Sequence, residues 1–195
     1  WVFTKGVNVD EFVVDNKMPS ATGKGYISYI SNCDPALDVN NKIARANTAG
    51  EPYITGGWPG DWWLFTIPEM TIKAGTVINA KFHARASGTG MKYWMLEYYD
   101  GGEWKPGAPL QTTTVGEGDQ AQTFSYNYEM MNTDHCLIDR NMTFEHAINN
   151  GDILIRLRCM ANWQASGKGA LAAPNGGTHR ISVQNNINPT ISIVQ

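Results

Sequence analysis

The side chains best suited to hold a ligand are two tryptophans in glycine-rich segments. Trp58 lies within residues 56–60, which read GGWPG, and Trp163 lies within residues 161–167, which read ANWQASG. A flat indole suits the apolar face of a sugar ring, and the neighbouring polar side chains of Asp61 and Gln164 are placed to bond its hydroxyl groups. The pattern predicts a carbohydrate site at these four residues. The alternative is that both indoles fold back as lids over the core, because tryptophan is usually largely buried.

A second candidate site lies on the polar faces of predicted strands. Its members are charged or aromatic residues that alternate with apolar ones, and they are His83, Arg85, Glu97, Tyr99, Arg156 and Arg158. We expect them to line one groove on a sheet face, with Tyr99 as a stacking surface. The alternative is a solvated face of cross-strand ion pairs, each contributing roughly 0.2–1 kcal/mol.

Motifs for catalysis are missing from the sequence. It contains no Gly-x-Ser-x-Gly, no His-Glu-x-x-His and no glycine-rich phosphate loop. Asp61, Glu97 and Glu129 are candidate members of a carboxylate pair for glycoside hydrolysis, but sequence does not set the required separation of about 5–10 Å. The four histidines stand singly, and the metal set is unknown. A structural calcium held by distant loops is compatible with the sequence.

Composition narrows the class of protein. The 195 residues carry a net charge of −3 with no run of Lys or Arg, which argues against nucleic-acid binding. No apolar run approaches the roughly 20 residues of a membrane-spanning helix. Twenty glycines, seven tryptophans, eight tyrosines and few charges are typical of an exported protein, whether periplasmic, cell-surface or extracellular. Because the chain begins with Trp1 rather than Met, we expect a processed or truncated product.

The three cysteines lie far apart, with no Cys-x-x-Cys pair, so a zinc site is not expected. One disulfide with a free thiol and three buried free thiols both remain open.

Strand-like segments recur between clusters of Gly, Pro, Asn and Asp. The strongest are residues 62–67, 76–87, 92–99, 122–131, 152–160, 179–184 and 190–194, with weaker ones at 7–14 and 25–31. Short strands at this spacing predict an antiparallel β-sandwich, which we expect to form a single domain over residues 1–195. One short helix is expected near residues 143–149, capped by Thr143 and ended by Asn150-Gly151.

Alternation within the strands assigns their faces. One face of each central strand is apolar and the other carries charge, as in residues 82–86, 93–99 and 153–160. If successive strands are antiparallel, the loops alternate between the two ends of the sandwich. This places Trp58 and Trp163 at one end, and the Asp100–Gly102 turn with Trp104 at the other.

Three segments together resemble a known family. Residues 61–68 read DWWLFTIP, residues 73–76 read KAGT, and residues 93–104 read YWMLEYYDGGEW. They resemble the galactose-binding-like jelly rolls, including the adhesins and carbohydrate-binding modules of secreted bacterial lipoproteins. The resemblance implies a sandwich of eight or more strands, usually without catalysis, with ligands at loop tips and sometimes a structural calcium.

The hypothesis that follows is a non-catalytic, extracytoplasmic binding module for carbohydrate. Two alternatives stay open. One is a structural or adhesive surface domain that binds protein or acts as a spacer, and the other is a polysaccharide hydrolase or lyase. The sequence has no loop motif that names a particular sugar.

Overall fold

The structure is a computed structural model that describes residues 1, 17–30, 44–45, 51–55, 57, 59–169 and 177–194. The regular secondary structure of the described part is β-strand, apart from one short 3-10 turn at Gly118–Gln120. The first eight strands are β1 (Lys17–Pro19), β2 (Tyr26–Ile30), β3 (Ala44–Arg45), β4 (Pro52–Thr55), β5 (Trp62–Ile72), β6 (Thr76–Ala86), β7 (Tyr93–Asp100) and β8 (Glu103–Pro106). The remaining strands are β9 (Gln111–Val115), β10 (Gln122–Tyr126), β11 (Tyr128–Glu129), β12 (Cys136–Phe144), β13 (Ile148–Cys159), β14 (Thr178–Ser182) and β15 (Thr190–Val194).

The strands form an antiparallel β-sandwich of the jelly-roll class, as the sequence predicts. The front sheet has the order β1-β2-β5-β13-β7-β11, with β8 also paired to β7. The back sheet has the order β12-β6-β14-β4-β3, with β15 also paired to β6. Strands β9 and β10 form a separate hairpin. All of these pairings are antiparallel.

The core lies between the two sheets and is filled by alternate residues of the long strands. Burial follows the predicted period of two, because successive side chains of a strand point to opposite faces of its sheet. The largest fully buried side chains come from both sheets and include Trp63, Phe65, Phe82, Trp94 and Phe144. On β13 the core residues are Ile153, Ile155, Leu157 and Cys159. The intervening residues of β13 therefore face outward.

The predicted hairpin at residues 93–104 is confirmed. Asp100 pairs with Glu103 across a two-residue turn, and Gly101 and Gly102 adopt φ values of 62° and 94°. Two positive φ values are required by the turn type that matches strand twist, which favours glycine at both positions. The turn sets Trp104 directly opposite Tyr99 on the paired strand.

The predicted helix near residues 143–149 is wrong. Strand β12 continues to Phe144 and strand β13 begins at Ile148. Phe144 is fully buried and pairs with Thr76, so core packing and strand pairing outweigh the local capping signal. Asn150-Gly151 marks an irregularity instead, because Asn150 has φ 50° and the register with β5 shifts on either side of Gly151.

Some predictions concern residues that the structure does not describe, or are not tested by it. The weak strand at residues 7–14 and the cysteine at position 33 lie outside them, whereas Cys136 and Cys159 are free thiols. The single domain over residues 1–195 stays a prediction, although the described strands share one main core. Within the described ranges, no helix is long and apolar enough to cross a membrane.

Candidate functional site

The described members of the predicted loop site lie at one end of the sandwich and differ in burial. Trp58 lies outside the described residues. Asp61 is fully buried, and its backbone carbonyl accepts a hydrogen bond from the Cys159 N–H at 2.8 Å. Trp163 and Gln164 follow Cys159 in the chain, and Gln164 forms a bridge with Met91. The loops before β5, before β7 and after β13 therefore meet at the same end, as the strand-alternation argument predicts.

Asp61 belongs to a buried polar chain beneath this end rather than to its surface. The Trp63 indole N–H donates to His179 Nδ1 at 3.0 Å, which leaves the proton of the neutral imidazole on Nε2. His179 Nε2 lies 3.4 Å from Tyr29 Oη, and the Tyr29 hydroxyl donates to Asp61 Oδ2 at 3.1 Å. A Cβ on Gly57 would come within 2.8 Å of Tyr29 Oη. The backbone at Gly57 thus lies directly over this chain.

Trp163 is half-buried and packs against a small aromatic cluster. Its neighbours are Tyr93, Val115, Tyr126 and Ala161. Its carbonyl accepts a hydrogen bond from the Lys92 N–H at 2.9 Å. The Gln164 side-chain oxygen accepts a bond from the Ser166 hydroxyl at 3.2 Å. The indole of Trp163 therefore serves packing at least in part, as the lid interpretation expects.

The predicted sheet-face groove does not exist as one site, and that expectation is wrong. Arg85 and His83 lie on β6 of the back sheet, whereas Glu97, Tyr99 and the two arginines lie on β7 and β13 of the front sheet. Both groups point away from the core, so the whole sandwich separates them. Period-two alternation distinguishes inside from outside, but it does not say to which sheet a strand belongs.

The front-sheet members do form a compact cluster. Arg156 pairs directly with Glu97 across the sheet, and Arg158 is two residues further along the same strand. Glu97 Oε2 accepts bonds from Arg156 Nε at 2.7 Å and Arg158 Nε at 2.9 Å. Glu97 Oε1 accepts a bond from an Arg158 terminal nitrogen at 3.0 Å. Burial opposes ionisation of Glu97, but the two guanidinium groups outweigh it and hold the Glu97 pKa below its usual range.

Two tryptophans enclose the central arginine of this cluster. The Arg156 guanidinium carbon lies 3.9 Å from the Trp104 ring centroid and 5.1 Å from that of Trp62. Tyr99 continues the series, with its ring centroid 5.3 Å from that of Trp104. Tyr99 is an exposed residue, whereas the side chain of Arg156 is only 11% exposed. We call Trp62, Glu97, Tyr99, Trp104, Arg156 and Arg158 the front-face cluster.

The sequence did not point to Trp62 and Trp104 as site residues. Trp62 lies opposite Arg158 on β5, and Trp104 lies opposite Tyr99 on β8. The signal was available for Trp104, because a two-residue turn at Gly101-Gly102 fixes the register of the hairpin. It was not available for Trp62, because the pairing of β5 with β13 joins strands about 90 residues apart in the sequence.

The β9–β10 hairpin borders the cluster on one side. The ring of Tyr93, on the outer face of β7, packs against Phe124 at 5.2 Å and Tyr126 at 4.8 Å. Tyr93 precedes Glu97 by four residues, which is roughly 13 Å along a strand. The hairpin therefore covers the outer face of β7 at Tyr93, on one side of the front-face cluster.

The back-sheet members form a different arrangement, which we call the back-face cluster: His83, Arg85, His135, Arg180 and Ser182. Arg85 and Arg180 are direct cross-strand partners. Arg85 donates to the Asn132 carbonyl at 2.6 Å, and Arg180 pairs with Glu51 at 3.3 Å. His135 Nδ1 lies 2.7 Å from the Ser182 hydroxyl. Burial lowers the pKa of both His83 and His135, and for His135 the nearby Arg85 and Arg180 lower it further.

The serine–histidine contact in the back-face cluster is not suited to nucleophilic catalysis. Ser182 is fully buried, so its hydroxyl has no access to a substrate. The second ring nitrogen of His135 faces a terminal nitrogen of Arg85 at 3.5 Å rather than a carboxylate. A nucleophile of this type needs an exposed hydroxyl and a base oriented by a third group. The pair is better described as a structural hydrogen bond.

A metal site is not evident in the described part of the chain, where no three His, Cys, Asp or Glu side chains form a metal-binding group. The carboxylates of Asp100 and Glu145 both bind the Lys105 ammonium, at 3.0 and 2.7 Å. The predicted calcium stays a prediction.

This chain matches known proteins among solved structures only. No family model and no curated protein sequence matches this chain. Among solved structures, the one titled "CBM4 structure and function" is similar over 87% of this chain and 87% of its own, with 12% identity and a TM-score of 0.46. At these values the similarity says nothing about the ligand of this chain.

Proposed function

We propose that the protein is a non-catalytic carbohydrate-binding module whose ligand lies on the front-face cluster. The observation that carries the proposal is the series of rings along the outer face of the front sheet. Trp62 and Trp104 flank Arg156, and Tyr99 extends the series to the exposed side. Tyr99 is exposed and the two tryptophans are half-buried, and aromatic rings next to fixed polar groups suit an amphipathic ring such as a sugar.

The polar part of the cluster is held in place before a ligand arrives. Glu97 is bound by both arginines, so its carboxylate and the two guanidinium groups have fixed orientations. A sugar has hydroxyl groups that both donate and accept hydrogen bonds. Fixed donors and acceptors bind such groups with little loss of side-chain freedom, which favours affinity.

The loop end is a weaker location for the ligand. Asp61 is buried in the polar chain with Tyr29 and His179, and Trp163 is packed against Tyr93 and Tyr126. Of the predicted loop residues in the described ranges, Gln164 and Trp163 are the two that are partly exposed. We therefore place the principal contact on the front-face cluster and not at the loop tips.

We also propose that the protein is exported, whether to the periplasm, the cell surface or the medium, which the low content of charged residues and the many aromatic residues support. The alternative function is a structural or adhesive domain. In that case the same ion pairs and rings stabilise the sheet face and bind no sugar.

Affinity electrophoresis against a panel of neutral and acidic polysaccharides, with calcium and with chelator, tests the proposal. We expect at least one polymer to retard the wild-type protein. Trp104→Ala should weaken that binding by tenfold or more, about 1.4 kcal/mol, because a central aromatic contact dominates binding energy.

Leu137→Ala is the matched control, because Leu137 is an exposed apolar side chain on the back sheet. Trp104→Phe should retain most of the binding, and thermal melting establishes that each variant is folded. Equal retardation of wild type and a folded Trp104→Ala variant would move the site away from the cluster. Failure of every polymer to retard the wild type would favour the structural or adhesive domain.

A further inference from the structure

The front-face cluster carries an excess of one positive charge. It contains two guanidinium groups and one carboxylate, and both oxygens of Glu97 already accept bonds from them. The other basic side chains near β7 and β8 have carboxylate partners of their own. Lys92 pairs with Glu129 at 3.0 Å, and Lys105 pairs with Asp100 and Glu145. No second carboxylate among the described residues contacts Arg156 or Arg158.

Arg156 holds this excess in an unusual environment. Its Nε bonds to Glu97, but within the described ranges its two terminal nitrogens have no acceptor. The side chain is 11% exposed and lies between the rings of Trp62 and Trp104. A charge that is largely removed from water is costly unless it is fully paired and hydrogen-bonded. Its terminal nitrogens are not among the buried polar atoms that lack a partner, so they reach solvent, and a further acceptor there would complete the hydrogen bonding of the charge.

The shape of the free donor edge indicates which acceptor fits. The two terminal nitrogens of a guanidinium form a planar fork that matches the two oxygens of a carboxylate or a sulfate. A single hydroxyl group fills only half of that fork. The rings on either side restrict approach to the edge of the guanidinium plane, and Tyr99 and Trp104 offer a stacking surface beside it.

We propose that the ligand of the front-face cluster is an acidic glycan, in which the acidic group of one sugar binds the terminal nitrogens of Arg156 while a sugar ring stacks on Tyr99 and Trp104. The inference rests on the proposed carbohydrate-binding function and goes beyond it by naming the charge class of the ligand. Carboxylate and sulfate share the required chemistry, and the test separates them.

The test uses polymers that differ only in the acidic group. Polygalacturonate is compared with its methyl ester, and dextran sulfate with dextran, in affinity electrophoresis at constant ionic strength. We expect retardation by the charged member of one pair and at least tenfold weaker retardation by its neutral partner. Binding of polygalacturonate identifies a carboxylate ligand, and binding of dextran sulfate identifies a sulfate ligand.

Three variants connect the effect to the guanidinium fork. Arg156→Met keeps the side-chain length but removes the charge, and we expect it to lose at least tenfold in affinity for the charged polymer. Arg156→Lys keeps the charge without the fork, and its affinity for the charged polymer should lie between those of the wild type and Arg156→Met. Arg140→Met removes a charge from an exposed side chain of the back sheet, so it is the control for general electrostatic attraction. Glu97 keeps its two bonds from Arg158 in the Arg156 variants, which favours normal folding.

The outcomes separate the inference from the function on which it rests. Equal binding of charged and neutral members, still abolished by Trp104→Ala, would overturn the acidic ligand and leave carbohydrate binding intact. An effect of Arg140→Met as large as that of Arg156→Met would also overturn it, because the attraction would then be nonspecific. Absence of binding to all four polymers, and to the wider panel, would overturn both proposals.

Discussion

The two outer faces of the sandwich have the same sequence pattern but different structures. On each face charged residues alternate with core residues, and on each face two arginines lie close together. The front-face arginines share one buried carboxylate and border three aromatic rings. The back-face arginines bond to a backbone carbonyl and to Glu51 and lie near two histidines. The cross-strand neighbours of an arginine, and not its place in the alternation, decide whether it can serve as a binding group.

Removal of the carboxylate that the two front-face arginines share should have the largest effect on stability. Glu97→Ala leaves two guanidinium groups side by side on a largely buried surface, and we expect a loss of about 3–5 kcal/mol in the free energy of unfolding. Chemical denaturation measures it. The comparison variant is Asp139→Ala, which removes the carboxylate of a half-exposed pair with Lys81 on the back sheet and should cost under about 1 kcal/mol.

If Glu97→Ala destabilises the protein no more than Asp139→Ala does, the front-face cluster is not a buried ionic network. Glu97→Gln separates charge from shape in this test. It keeps the size of the side chain, and we expect a loss smaller than that of Glu97→Ala because its oxygen still accepts a hydrogen bond.

Acid should affect the two faces at different pH values. The pKa of His83 is lowered in the folded protein, so the unfolded state binds more protons as the pH falls below about 6.5, and stability contributed by the back face is lost there. The pKa of Glu97 is also lowered, but its stabilising effect is present above about 4.5 and is lost only below that value. As the pH is lowered from 7 to 4, the melting temperature should therefore fall first through protonation of His83 and then, below about 4.5, through protonation of Glu97.

His83→Gln provides the decisive variant for this prediction. It should reduce the fall in melting temperature between pH 7 and pH 5, because glutamine does not titrate and the lowered pKa of His83 then no longer favours the unfolded state in acid. Glu97→Gln should not change that interval. An unchanged slope in His83→Gln would show that other groups, such as His135, are responsible for the acid sensitivity of the back face.

The smallest effect is expected from an exposed pair on the back sheet. The Lys81–Asp139 contact is 2.8 Å long, but both side chains are about 40% exposed. Lys81→Met should change the melting temperature by about 1 °C or less, because exposed ion pairs contribute little after solvent screening. A loss comparable to that of Glu97→Ala would remove the distinction between the two faces.

Local rules of the sequence predicted much of the fold. The Gly101-Gly102 hairpin and the inward faces of β6, β7 and β13 follow from turn chemistry and period-two alternation, and the structure confirms them. Strand β12 was not predicted. Its buried residues Ile138 and Met142 alternate with outward residues, but the inward position between them holds Arg140, which is exposed, and this charged residue hides the alternation. The helix was wrong because capping residues there serve a strand end and a bulge.

The site was less predictable than the fold, because it depends on which strands are neighbours. Glu97, Tyr99, Arg156 and Arg158 were recognised as outward residues, but they were grouped with His83 and Arg85 on the opposite side of the molecule. Trp62 was assigned to no site. Its contact with Arg156 depends on the pairing of β5 with β13, which closes a long loop and which no local pattern encodes.

The position of β13 in the middle of the front sheet has a consequence for how ligands can be found. Strand β13 pairs with β5 on one side and β7 on the other, so Arg156 is held on an interior strand that fraying at an edge does not release. Displacement of Arg156 from the front-face cluster and global unfolding are then the same event. A compound that binds only the native protein, at one hundred times its Kd, adds about 2.7 kcal/mol to stability. That increment raises the melting temperature by roughly 5–10 °C, so heat resistance alone would reveal a glycan that fits.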